Sequence, residues 1–155
     1  MKKYLLLLAS SQVLLACNGR YSKDEVLPAT VNSAFDQEFA LNYRQQAFLP
    51  STNQPELTVE ATELSYAFCP RNARCLIPDY VWPTLTVTDA QGLTQQIKLP
   101  ANQERTYTAG WIDTTSVRAN GRRYLLYYLN WQVQPGNDAP QKKDITTRYR
   151  ISKVN

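Results

Sequence analysis

A period of two between apolar and polar positions, the mark of a strand with one buried face, runs through most of the chain. It is loose at Glu38 to Tyr43, where Phe39, Leu41 and Tyr43 alternate with other residues, and Ala47 to Leu49 reads as a short continuation. Leu57, Val59 and Ala61 alternate with Thr58, Glu60 and Thr62, and the apolar set resumes at Leu64, Tyr66 and Phe68, one residue out of phase. Such a slip is what a β-bulge produces, or else a break between two strands. Thr84 to Asp89 and Thr94 to Leu99 predict a hairpin around Asp89-Ala90-Gln91-Gly92, and Thr106 to Ile112 reads as a further strand. Asn120-Gly121 is the strongest hairpin signal, because both residues tolerate the positive φ of a type I′ turn.

Arg123 to Val133 is the longest strand. One face would carry Leu125, Tyr127, Leu129, Trp131 and Val133, the other Tyr124, Leu126, Tyr128, Asn130 and Gln132. Two partly apolar faces predict a central strand. Ile145 to Ser152 closes the chain with Ile145, Thr147, Tyr149 and Ile151 opposite Thr146, Arg148, Arg150 and Ser152. No stretch sustains a 3.6-residue period. Seven or eight short strands separated by turn signals predict an all-β fold, an antiparallel β-sandwich (immunoglobulin-like) or a small barrel.

The first residues follow a different logic. Lys2 and Lys3 precede an apolar stretch from Tyr4 to Ala16 that Ser10, Ser11 and Gln12 interrupt. It is too short and broken to span a bilayer, which takes about 20 apolar residues. Charge, apolar segment and small residue together predict a secretory signal peptide. Its end, Leu14-Leu15-Ala16-Cys17, resembles the lipobox of bacterial lipoproteins. That resemblance implies cleavage before Cys17 and acylation of its thiol, which would hold the protein to a membrane by an N-terminal lipid. The expected organisation is a signal peptide at 1–16, a lipidated polar tether at 17–34 and one β domain at 35–155. Ser22-Lys23-Asp24-Glu25 resembles the export signal of surface lipoproteins of Bacteroidota, so the implied location is the cell envelope, on an outer-membrane lipoprotein facing the periplasm or the surface.

Composition sharpens this picture in two places. The net charge of +4 falls to +2 once Lys2 and Lys3 leave with the signal peptide, which removes the main support for a nucleic-acid partner. Of three cysteines, Cys17 is taken by the lipid, and Cys69 and Cys75 remain as an even pair in an oxidising compartment, where a disulfide is expected. Two Cys without His cannot supply the four ligands of a structural zinc site. Cys69-Pro70 with Cys75, lying between two strands, resembles the Cys-Pro-x4-Cys motif of small exported Bacteroidota proteins. Tyr66-Ala67-Phe68 replaces the polar triplet before that motif, and Leu76-Ile77-Pro78 replaces the Trp/Gly segment after it. The resemblance implies a β-sandwich lipoprotein and bears on fold and location only.

Candidate chemistry is sparse. The chain of 155 residues contains no His, which removes Ser/His/Asp and Cys/His arrangements, and its five Gly form no phosphate-binding loop. No catalytic residue, metal ligand or cofactor is expected. Binding is the better-supported class: Trp82, Trp111, Tyr80, Tyr107 and Tyr128 are candidates for an exposed aromatic platform on a glycan or an envelope protein. Tyr80 and Trp82 stand out, because Pro78 and Pro83 should keep them on a loop beside the disulfide. Arg148 and Arg150 share one strand face and form a candidate basic stripe; the plainer reading is that they protect an edge strand from pairing. The function expected is a non-enzymatic, lipid-anchored binding or scaffolding module. The alternative is an inhibitor of an envelope-attacking hydrolase presenting the 69–83 loop, and an enzyme of another class comes third.

Overall fold

The computed structural model describes residues 27–101, 111–136 and 139–154. The lipobox and Cys17, the signal peptide, the start of the tether, Tyr107 and most of the expected 106–112 strand lie outside these residues. Among the described residues nine strands form two sheets, so the fold is a β-sandwich and not a closed barrel.

The first sheet has the order β1-β3-β4-β5-β6 and the second β2-β9-β8-β7. β1 (Val31–Asn32) runs parallel to β3 (Gln46–Leu49). The chain therefore joins the sandwich four residues before Phe35, where the sequence placed the domain start. Val31 packs on the core, and the Ser33 amide donates to the Phe48 carbonyl at 3.1 Å. β2 (Glu38–Asn42) crosses to the second sheet, so β3 is not its continuation but a strand of the opposite layer. A turn with Arg44 at φ 61° makes the switch. β4 (Leu57–Ala67), β5 (Tyr80–Asp89) and β6 (Thr94–Lys98) then form a meander, as do β7 (Asp113–Ala119), β8 (Arg122–Val133) and β9 (Ile145–Lys153). This sequential order departs from the A-B-E-D and C-F-G pairing of immunoglobulin domains.

Alternating residues of both sheets fill the space between them. Leu41, Ala47, Leu49, Val59, Ala61, Leu85, Tyr124, Leu126, Tyr128, Tyr149 and Ile151 are all completely buried. Tyr128 donates its hydroxyl to the Val81 carbonyl at 2.9 Å, tying the layers together through the core. The slip in β4 is a bulge, at Ala61/Glu63, within one continuous strand. β8 has a second bulge at Tyr128/Asn130 that the pattern concealed. Its core face is consequently Tyr124, Leu126 and Tyr128, then Leu129, Trp131 and Val133, so each of the two expected faces is half inside.

The strand leading into the Asn120-Gly121 turn is β7, from Asp113. Two further expectations are revised. β9 is not an edge strand, because β2 covers one side and β8 the other. β5 begins at Tyr80, so Tyr80 and Trp82 sit on a paired strand opposite Ala67 and Ser65, not on a loop. Pro83 is accommodated because its carbonyl accepts the Leu99 amide at 2.9 Å: the missing N–H also faces that side, and no bond to β4 is lost.

Candidate functional site

The end of the sandwich where β4 meets β5 differs from the rest in what stabilises it. Among the described residues only Leu64, Val81 and Ile145 are buried in its local core, with Tyr43, Tyr66, Phe68, Trp131 and Val133 packed around them. A loop of twelve residues, 68–79, leaves this end, and such a length without regular structure needs another constraint. Cys69 and Cys75 supply it: they form a disulfide with a Cα separation of 5.8 Å, as their parity and compartment predicted. The Asp79 carboxylate accepts the Cys69 amide at 2.7 Å, and the Ala73 amide closes a turn on the Pro70 carbonyl at 3.0 Å. On the chain-entropy account, closing so short a loop contributes roughly 2 kcal/mol.

The braced loop presents apolar groups outward. Leu76 is fully exposed and Ile77 is 67 % exposed, against a general tendency to bury such side chains. Two shallow grooves open at this end, one of them lined by both side chains. One, of about 340 Å³, is lined by Ala67, Phe68, both cysteines, Leu76 and Ile77. The other, of about 270 Å³, runs between Phe68, Arg71, Asp79, Trp131, Val133 and Pro140. Phe68 forms a wall of both, its ring centroid 5.5 Å from those of Tyr66 and Trp131.

Tyr80 and Trp82 lie on the outer face of the first sheet just beneath the loop. They are half-buried, and their ring centroids are 4.3 Å apart, so each ring spends one face on the other. Disulfide, Tyr80 and Trp82 are thus brought together. Arg148 and Arg150 are not part of this group; they occupy the outer face of the second sheet, where Arg150 lies 4.5 Å over the Tyr127 ring. Trp111 is exposed but lines neither groove, and Tyr128 is removed from the candidate platform altogether by its complete burial.

One ion pair borders the site. Lys142 donates to the Glu63 carboxylate and lies 5.1 Å from the Tyr43 ring centroid. That hydrogen bond, outweighing burial, holds the Glu63 carboxyl below its usual range and raises the Lys142 ammonium. Among the described residues no group of three potential ligands could hold a metal ion, and no helix is long and apolar enough to cross a membrane.

The sequence reading missed Leu76, Ile77, Phe68 and Trp131. A signal existed for the first pair: Leu76-Ile77 is an apolar dipeptide between Cys75 and Pro78, outside any alternating pattern. No family model, curated protein or solved structure matches the chain.

Proposed function

We propose that this protein is a non-enzymatic binding module of the bacterial cell envelope, anchored by lipid on Cys17, that contacts an envelope protein through its disulfide-braced tip. The observation that carries this reading is the exposure of Leu76 and Ile77 on a covalently constrained loop, where they line an apolar groove with Ala67, Phe68 and the disulfide. Exposed aliphatic side chains on a pre-ordered segment lose little conformational freedom on binding, which favours association with a protein surface. A glycan is the weaker fit, since stacking on sugar rings needs free aromatic faces and Tyr80 and Trp82 cover one another. The same tip supports the second reading, an inhibitor whose braced loop enters the cleft of an envelope-attacking hydrolase.

Chemical crosslinking in intact cells tests the contact. The parent chain should give one discrete protein adduct, and a Leu76→Asp/Ile77→Asp variant with unchanged melting temperature should give none. Recovery of a hydrolase whose activity falls on binding would select the inhibitor reading. An adduct that persists in the double variant contradicts both. Intact-mass measurement should show a chain that begins at acylated Cys17; an unmodified thiol removes the anchor.

A further inference from the structure

At the end of the sandwich opposite the disulfide, two hairpin tips are locked together. Asp89 Oδ1 accepts the amides of Gln91 and Leu93, each at 2.9 Å, and Oδ2 accepts that of Asn120 at 3.4 Å. Asn120 Oδ1 in turn accepts the Ala90 amide at 3.0 Å, and its Nδ2 donates to the Glu56 carbonyl at 2.8 Å. These bonds fix the walls of a groove of about 440 Å³ that includes Leu93, Asn120, Gly121 and three arginines: Arg118, Arg122 and Arg123.

The charges of this groove are unbalanced. Arg118 stands directly opposite Arg123 in the β7–β8 ladder, and because the adjoining Val117 and Tyr124 are buried, both arginines face outward on the same side. Like charges placed directly across a ladder are destabilising. Neither has an acidic partner among the described residues, and Arg122 meets only the Glu56 carboxylate at 3.9 Å. That carboxylate already receives Lys153 at 2.7 Å and the Tyr124 hydroxyl, while Asp89, the one acid lining the groove, is taken up by backbone amides.

We propose that this groove is a binding site for a phosphate-class oxyanion, held between Arg118 and Arg123 with Arg122 as the third cation. A tetrahedral dianion offers enough oxygens to accept the forked donors of two guanidinium groups at once, and its charge turns their mutual repulsion into shared attraction. The groove is large enough for more than the ion itself, so the phosphate is carried either by a small soluble molecule or by a lipid headgroup. The site is independent of the tip at the other end.

The test uses the full-length chain in zwitterionic detergent micelles, with inorganic pyrophosphate as probe. Pyrophosphate should raise the melting temperature saturably and shift the side-chain NMR signals of Arg118 and Arg123. Arg118→Gln or Arg123→Gln should weaken binding at least tenfold, while Arg148→Gln, on the same outer face but away from the groove, should leave it unchanged. Without ligand, Arg123→Gln should melt no lower than the parent, since it relieves the like-charge pair; lost binding then is not lost folding. Adding phosphatidylglycerol to the micelles, with phosphatidylcholine as control, distinguishes the sources. A shift of the same arginine signals by the glycerol lipid alone supports a headgroup ligand, and a shift by pyrophosphate alone supports a soluble one. Absence of saturable binding to either probe, or equal weakening by Arg148→Gln, overturns the proposal.

Discussion

The two ends of the sandwich solve the same problem, holding loops beyond the sheets, by different means. At the hairpin end the turns are short and stabilised by local chemistry: Asn120 and Gly121 adopt φ of 51° and 70°, and Asp89 receives three backbone amides. Glu56 adds a fastening across the layers by accepting from Tyr124 and Lys153. At the other end the loop is long, the buried cluster is small and the constraint is covalent. The outward surfaces differ accordingly: three arginines gather around the hairpin groove, whereas Leu76 and Ile77 stand exposed beside Arg71, Arg74 and Asp79 on the disulfide loop. Where hydrogen bonds in tight turns suffice, the side chains facing outward are released for charge. Where they do not, a crosslink permits exposed apolar residues to keep a fixed shape.

Weakening each fastening in turn should separate these mechanisms. The largest effect is expected at the hairpin end from Glu56→Ala, which takes the acceptor from the Tyr124 hydroxyl, leaving it only the Asn120 amide at 3.4 Å, and takes from Lys153 its carboxylate. Hydrogen bonds to a charged acceptor imply a loss of about 2–3 kcal/mol in urea unfolding. The same group gives a pH signature. Burial alone would raise the Glu56 carboxyl, but hydrogen bonds from Lys153 and Tyr124, with the charges of Lys153 and Arg122, hold it below the usual value of 4.5. Its contribution is therefore complete above that value and is lost as pH falls through the depressed folded pKa. Acid titration of stability should show this loss in the parent and a shallower one in Glu56→Gln.

Removing the disulfide with Cys69→Ser/Cys75→Ser should cost roughly 2 kcal/mol on the chain-entropy account, with the sandwich retained. Limited proteolysis should then cut within 68–79 while sparing the hairpin end. If instead both ends become sensitive together, they are not independently fastened.

Much of this architecture was legible because period-two patterning and turn chemistry are local. Ile145 to Ile151 gave the buried face of β9 residue by residue, and the one-residue slip after Ala61 gave the bulge. What was not legible depended on neighbours distant in sequence. The β8 bulge is hidden because Leu129 can serve either face of a strand that is apolar on both. Pro83 argued against a strand at 80–83, since the sequence does not reveal that its missing donor faces β6 and not β4. The disulfide was readable from parity and the expected compartment. The tip was not, because the exposure of Leu76 and Ile77 is a property of what fails to pack on them. The arginine groove was likewise invisible as a cavity, although Arg118, Arg122 and Arg123 flank the strongest turn signal in the chain.

Smaller effects refine the comparison. Gly121→Ala should cost about 1 kcal/mol at the hairpin end, because φ of 70° disfavours a side chain although nothing lies near an added Cβ. In the shared core, Tyr128→Phe should cost about 1 kcal/mol by removing the bond to Val81. Tyr149→Phe should be neutral or stabilising, since among the described residues the buried Tyr149 hydroxyl finds no well-formed hydrogen bond.

The division of labour between the two ends is tested most directly by a photoreactive amino acid placed in turn at Ile77 and at Leu93, exposed apolar positions at opposite ends. Illumination of intact cells should give a discrete protein adduct from position 77 and none from position 93. Adducts from 93 alone, or equal adducts from both positions, would contradict the assignment of the disulfide-braced tip as the contact surface.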